Sequence, residues 1–521
     1  MAGRAGIVGL GTLASRFLGL ARDMAMAAVF PIAATDAFWV AFTIPNALRQ
    51  LLAEGAVTSA VVPVLAEARA AGGDEAARHF YARMRGLSLL VLVLVSIAGV
   101  FAAPWLVDLY AHGFGQRVGQ LERTITLARW VFPYIFFMGT AALGMAALNT
   151  YGRFAVAAFA PALLNVAFLA ASFGLPAWLV ANGHDPALAL AFAALVGGAL
   201  QVAAQLPALR ALGFLGMPSF DFRDERVRTV LRRIGPMTLG LGIYTVDLVV
   251  CRRFLAELGD GPQSYFSWAQ RLCDFPQGIF VMALQTAAMP RLAALVAEGN
   301  QREVAATFAF SMRLSLFVGV AVSALFAGLA EPIVVALFQR GQFDATSAHE
   351  TARALAAQGL GIAPVAAVRA LVPVFFAMGD TRTPVIVSAL DLLALIALSI
   401  VLAGPFGHVG ISFAVAGSSL VQMLLLWVFL AKKLPDMRTG EIAKSALRTV
   451  AASVAGGGMA WWSARQVTGV LGDGSLARLF PAIVGGVVFG CVFVFFAALF
   501  RSEELDVLSA GLARKLGRRR G

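Results

Sequence analysis

Four arginines and several carboxylates stand in stretches where charge is costly. Arg16, Arg22 and Asp23 fall within one apolar run, Asp36, Arg49 and Glu54 within the next, and Arg271 and Asp274 within a later one. A charged side chain at the centre of a membrane helix costs about 2.5 to 3.5 kcal/mol, so four lipid-facing arginines would cost on the order of 10 kcal/mol. A polar chamber is the economical explanation. Guanidinium groups stay charged at any relevant pH and present forked donors suited to phosphate oxygens. The chemistry implied is recognition of an anion, a diphosphate in particular. An excess of fixed positive charge over nearby carboxylates argues against a cationic cargo.

Spacing supports this in part. Arg16 and Asp23 are seven residues apart and Arg271 and Asp274 three apart, so each pair shares a helix face. Arg16 and Arg22, six apart, share a face only if the helix bends, and Gly19 between them permits that. Pro45-Asn46 interrupts its segment just before Arg49 and frees backbone groups that a cavity or a neighbouring helix must satisfy. Plainer readings stand beside these. Arg22 and Asp23 can form an ordinary ion pair. Thr35-Asp36 can cap the start of its helix, with or without a gating role. Arg271 with Asp274 can be a structural pair, and Glu54-Gly55 can mark a kink. Asp247 and Asp391 are isolated carboxylates on which no mechanism is built.

The elements that must position these residues are membrane helices. The chain has 521 residues, 60% hydrophobic and 13% charged, far below the roughly 25% charged residues of an ordinary soluble domain. Fourteen spans are expected, at 7–31, 37–62, 86–107, 125–148, 156–178, 187–209, 234–256, 266–289, 308–329, 352–378, 383–403, 408–431, 446–467 and 479–500. The N-terminal run resembles a signal peptide, yet Arg16 and Arg22 interrupt what should be an uncharged core, so it reads as the first span. Alternate loops are basic, from Arg69, Arg78, Arg83 and Arg85 through Arg153, the Arg210–Arg233 group, Arg291, Arg302 and Arg382 to Lys432, Lys433, Arg438 and Lys444. By the positive-inside rule these loops and both termini are cytoplasmic. Arg117, Arg123 and Arg340 are the main exceptions.

The net charge of +12 sits in the breaks between apolar segments, which excludes a nucleic-acid-binding face. Cys251, Cys273 and Cys491 are far apart without CxxC spacing, and the five histidines fall in loops or at segment ends. Neither a disulfide framework, a metal site nor an intramembrane histidine relay is expected, and no cofactor is called for.

The chain also repeats itself at an offset of about 227 residues, aligning Val62-Pro63-Val64-Leu65-Ala66 with Met289-Pro290-Arg291-Leu292-Ala293. Both copies continue into a Leu-Ser-Leu entry (Leu87 to Leu89; Leu314 to Leu316), a proline (Pro104; Pro332) and a turn ending in Phe114 or Phe343. About six spans separate the copies, the spacing of parallel repeats in alternating-access transporters, which bind substrate between their lobes. The expected layout is an all-α polytopic membrane protein of two parallel-related six-helix lobes plus two C-terminal helices. Residues 1–217 form the N-lobe, 218–440 the C-lobe, and 441–521 the two additional spans with a basic tail from Arg514 to Arg520.

With these motifs the sequence resembles the MurJ (MviN) family of lipid II flippases, within the superfamily of multidrug and oligosaccharidyl-lipid exporters. The carrying motifs are Ser15-Arg16-Phe17-Leu18-Gly19 through Arg22-Asp23, Thr35-Asp36-Ala37-Phe38, Pro45-Asn46 with Arg49, Ala53-Glu54-Gly55-Ala56, and Arg271 with Phe275-Pro276. Asn149-Thr150, Arg153-Phe154, Ala160-Pro161 and Leu164-Asn165 are also similar to the family. The resemblance implies that Arg16, Arg22, Arg49 and Arg271 line a central cavity and contact the diphosphate and sugar headgroup. Asp36 would lie on the periplasmic side, Asp23, Asn46, Glu54 and Asp274 would support the site, and the last two spans would form a groove for the polyprenyl tail. Gln270 stands where relatives often carry an acidic residue, Asp274 is shorter than their glutamate, and span eleven offers no counterpart to the sodium site of some relatives.

The expected function is translocation of undecaprenyl-diphosphate-linked peptidoglycan precursor across the bacterial cytoplasmic (inner) membrane by alternating access, with coupling to an ion or to the membrane potential left open. Expected partners are lipid II, membrane lipids and the cell-wall synthesis machinery, with no nucleic acid. The nearest alternative is an exporter of another polyprenyl-linked glycan, although such relatives generally lack the paired SRxLGxxRD and PNxxR motifs. A membrane enzyme acting on the same lipid would need a nucleophile or a loop carboxylate or histidine cluster, which is not evident, so a non-enzymatic transporter is expected. A division scaffold would have no use for buried arginines.

Overall fold

The computed structural model describes residues 2–49, 56–278, 282–434, 436–471, 474 and 477–509. Every regular element among them is helical. In chain order they are α1 (Ala2–Val29), α2 (Ile32–Arg49), α3 (Ala56–Ala111), α4 (Gln120–Val131), α5 (Tyr134–Thr150), α6 (Phe154–Ser172), α7 (Leu175–Ala181) and α8 (Leu188–Ala211). Then follow α9 (Glu225–Ala256), α10 (Pro262–Pro276), α11 (Met282–Ala297), α12 (Gln301–Phe338), α13 (Ala345–Gly359), α14 (Ile362–Ala377), α15 (Arg382–Lys433), α16 (Thr439–Leu471) and α17 (Phe480–Leu499).

By length and composition, eight helical stretches among the described residues can cross a membrane: 60–116, 120–150, 154–172, 188–211, 301–338, 345–377, 382–433 and 480–499. The stretch 382–433 contains two expected spans in one element, because α15 is broken only at Gly407, whose φ of 57° and ψ of −136° are open to glycine. The expected spans outside these stretches correspond to α1, α2, α9, α10 with α11, and α16, the more polar or interrupted helices. Large apolar side chains on the crossing helices stand exposed, among them Phe101, Trp105, Leu424 and Val487, as expected where acyl chains rather than water are the solvent.

Some expected boundaries move for local reasons. The fifth span, expected to reach residue 178, ends at Ser172, since Gly174 at φ 92° turns the chain and Pro176 starts the separate helix α7. The eighth, expected as one segment over 266–289, is α-helical in α10 to Pro276, passes into a π turn at 277–278 and is α-helical again in α11 from Met282, with 279–281 outside the described residues. The connection expected between spans two and three is itself helical within α3, broken at Gly72 and Gly73.

The helices group into two compact units, one of Met1–Ser264 with Arg340–Phe343, the other of Tyr265–Gln339 with Asp344–Gly521. In the first, α1 lies along α6 and α3 packs against α5 and α9. Close approach of α1 to α6 requires glycine at Gly11, where a Cβ would stand 2.9 Å from the Ala158 carbonyl oxygen. In the second, α16 packs on α12 and α17. Small residues set that crossing too, since a Cβ on Gly328 would come within 2.7 Å of the Gly457 oxygen.

Candidate functional site

Arg22 is 8% exposed and Asp23 4%, so both charges are out of contact with bulk solvent. Their geometry satisfies most of what burial demands. Arg22 donates from Nε and Nη2 to one oxygen of Asp23, at 2.8 and 2.6 Å, and from Nη1 to Asn165 Oδ1 at 3.0 Å. Its guanidinium also stands 5.5 Å from the centre of the Phe168 ring, a favourable cation–π placement. Asn165, on α6, donates from Nδ2 to the Ser15 carbonyl oxygen at 2.9 Å. One amide thereby ties Arg22 to the helical turn that bears Arg16. The ion-pair reading of Arg22 and Asp23 is met, and a third group, 143 residues away, fixes the orientation of the pair.

On α2, Arg49 is half-buried and its Nε donates to Asn46 Oδ1 at 3.0 Å. Asn46 follows Pro45, which has no N–H to continue the helical ladder. The amide left beside that break serves as a bracket for the guanidinium. Arg16 and Arg271 are both half-buried. Near Arg271, the exposed Asp274 accepts from Gln270 Nε2 at 3.0 Å. Gln270 therefore occupies its neighbour's carboxylate by a hydrogen bond where an acidic residue would repel it. Glu54 lies outside the described residues.

Asp36 is fully buried. Its two oxygens accept from the backbone N–H groups of Gly261 and Ser264, at 2.7 and 2.8 Å, while Thr35 Oγ1 lies 2.7 Å from Ser264 Oγ. The reading of Thr35-Asp36 as the cap of its own helix is corrected: α2 begins earlier, at Ile32, and the Asp36 carboxylate instead holds the N–H groups at the start of α10. Nothing in the residues around Asp36 points to partners more than 220 residues downstream.

Two of the arginines that break the loop-charge pattern are neutralised locally. Arg117 pairs with Asp260 at 3.1 Å and donates to the Ala256 carbonyl oxygen at 2.7 Å, and Arg123 pairs with Asp185. Cys251 and Cys273 are buried free thiols and Cys491 an exposed one. Among the described residues no group of three or more His, Cys, Asp or Glu side chains could hold a metal ion.

Solved structures of the same architecture define the class of fold. The chain matches an inward-facing multidrug-resistance transporter of the MATE family and MOP superfamily with a TM-score of 0.68 at 17% identity, covering 81% of this chain and 96% of that one. It matches a structure titled lipid II flippase MurJ, inward closed conformation, with a TM-score of 0.74 at 20% identity, covering 94% and 98%. The fold is that of these two transporter structures.

Within that class, the family model described as lipid II flippase MurJ matches residues 26–480, and the chain belongs to the MurJ family. A lipid II flippase MurJ of Burkholderia cenocepacia is 34% identical over 428 residues, covering 81% of this chain and 82% of that one. A probable lipid II flippase MurJ of Rhizobium tropici is 30% identical over 521 residues, covering 98% and 96%.

Proposed function

We propose that this chain is a lipid II flippase, moving the diphosphate-linked peptidoglycan precursor from the inner to the outer leaflet of the bacterial cytoplasmic membrane. The observation that carries this reading is the buried, oriented Arg22, held by Asp23 and Asn165 in a chain of the MurJ family. A guanidinium kept in a membrane-spanning helix by a carboxylate and an amide is a prepared anion-binding group. Arg16, Arg22, Arg49 and Arg271 take the diphosphate and sugar headgroup. Asp23 and Asn46 orient their arginines, and Asp36, Glu54 and Asp274 have gating or supporting roles. The N-lobe (1–217) and C-lobe (218–440) alternate access around the headgroup while the polyprenyl tail remains in lipid along the two helices of 441–521. An ion gradient or the membrane potential resets the cycle, both termini are cytoplasmic, and the cell-wall synthesis machinery supplies and consumes the substrate.

The test is complementation of cells depleted of their essential lipid II flippase. Growth with wild type, and none with Arg22→Ala or Arg49→Ala at equal membrane protein, supports the proposal. Inserted wild-type protein that fails to restore growth moves the assignment to an exporter of another polyprenyl-linked glycan.

A further inference from the structure

The internal repeat carries a turn after its third expected span, at Gly113-Phe114, and the counterpart after its ninth, at Gly341-Gln342-Phe343. Both lie on the side of the membrane opposite the basic loops. Each turn is closed by one backbone hydrogen bond, from the Arg117 N–H to the Phe114 carbonyl oxygen and from the Phe343 N–H to the Arg340 carbonyl oxygen, both at 3.2 Å. Phe114 and Phe343 are buried. Residues Arg340–Phe343 belong to the first compact unit, although their chain neighbours on either side belong to the second.

The two turns make the same contact, each on the other copy of the repeat. The first stands on the end of α9, where a Cβ on Gly113 would lie 2.5 Å from the Ala256 carbonyl oxygen. The second stands on the end of α1, where a Cβ on Gly341 would collide with the Ala28 carbonyl oxygen. Both obstacles are backbone, which cannot swing aside as a side chain can. Ala28 and Ala256 are 228 residues apart, and so are Gly113 and Gly341. Equivalent glycines therefore press on equivalent helix ends. A helix leaves its last carbonyls without an intrahelical donor, and here each donor comes from the opposite copy. The Ala28 oxygen accepts from the Gln342 N–H at 2.8 Å, and the Ala256 oxygen accepts from Arg117 Nη2 at 2.7 Å. Arg117, out of place in the loop-charge pattern, is held there by Asp260 just beyond α9, at 3.1 Å.

We propose that the two turns are halves of one latch that shuts the transporter at the end opposite the basic loops, each copy of the repeat holding the first helix of the other, and that opening this end breaks both contacts together. The inference rests on the alternating-access reading, in which α1 and α9 are the first helices of the two lobes. Ala28 lies six residues beyond Arg22, so releasing it frees the end of the helix on which Arg16 and Arg22 stand.

The test uses the full chain in nanodiscs without cargo, with Cys251, Cys273 and Cys491 replaced by alanine and spin labels on one introduced pair of cysteines. Gln116→Cys with Glu257→Cys spans the first contact, and Val29→Cys with Gln342→Cys spans the second. Distance distributions are recorded by pulsed electron paramagnetic resonance, with one contact perturbed and the other read. Gly341→Ala, whose methyl has no room against the Ala28 oxygen, should raise the ratio of long to short distances across the first contact by about tenfold, the effect of overpacking by one methyl group. Arg117→Ala removes the donor to the Ala256 oxygen without adding bulk. It should lengthen the distances across the second contact in the same way, and serves if the glycine variant does not fold. A shift at the untouched contact supports a single latch, because a merely local turn would not move it. Wild-type distances at the untouched contact overturn the latch and leave the flippase reading standing, since no lipid II enters the assay.

Discussion

Replacing Asn165 by aspartate separates an anion-binding Arg22 from a merely structural one. The substitution keeps an oxygen where Arg22 Nη1 now donates at 3.0 Å, but it turns the Nδ2 that donates to the Ser15 carbonyl oxygen into an acceptor, a loss it shares with Asn165→Ala. It also adds a second carboxylate beside a guanidinium already paired with Asp23 at 2.6 Å. A phosphate oxygen bound to Arg22 would then lie about 4 Å from the new charge, and at an effective dielectric of about 20 that repulsion is about 4 kcal/mol. Headgroup affinity should fall by about three orders of magnitude. Asn165→Ala removes the same contact without adding charge. It removes one acceptor of Arg22 and leaves the Ser15 carbonyl oxygen, now bonded at 2.9 Å, without that donor, which calls for a smaller defect of about 1 to 3 kcal/mol. The assay is growth of flippase-depleted cells, with each variant at matched membrane abundance and its unfolding temperature measured after purification. Failure of Asn165→Asp, a weaker defect in Asn165→Ala and comparable melting of the two variants are expected. Wild-type growth with Asn165→Asp would refute the assignment of Arg22 as an anion-binding group.

Asp36→Ala leaves the Gly261 and Ser264 N–H groups without their acceptor and should destabilise the protein by about 3 kcal/mol or more, read as a lowered unfolding temperature, with Asp36→Asn restoring part of it. Gly328→Leu places side-chain atoms where the Gly457 oxygen already sits 2.7 Å from a bare Cβ, so α16 should detach from α12 and become open to protease while α1–α9 stay protected. Asp380, in the connection between α14 and α15, is held below the usual carboxylate range by hydrogen bonds from Lys433 and Thr383. Because its folded-state pKa is depressed, its contribution is present at neutral pH and is lost as pH falls below about 4, the unfolded value. Acid unfolding of Lys433→Gln should therefore show a shallower dependence on pH than wild type.

The parts legible in the sequence were those that violate a solvent. Arg22 and Asp23 announced themselves because charges in an apolar run need an account, and the helices did so because about 20 apolar residues have one economical conformation in lipid. Asn165 was visible only as part of a resemblance: an uncharged amide in an apolar helix carries no signal, and its pairing with Arg22 depends on how α1 lies on α6. Asp36 was misread for the same reason, since a carboxylate near a helix start looks like a local cap until the start of α10 is brought beside it.

Flipping through Arg22 and Arg49 is read out by measuring lipid II in the outer leaflet of flippase-depleted cells that express wild type, Arg22→Gln or Arg49→Gln at equal levels. Restored outer-leaflet lipid II with wild type, and accumulation in the inner leaflet with both variants, is the predicted result. Outer-leaflet lipid II restored equally by both variants would contradict it.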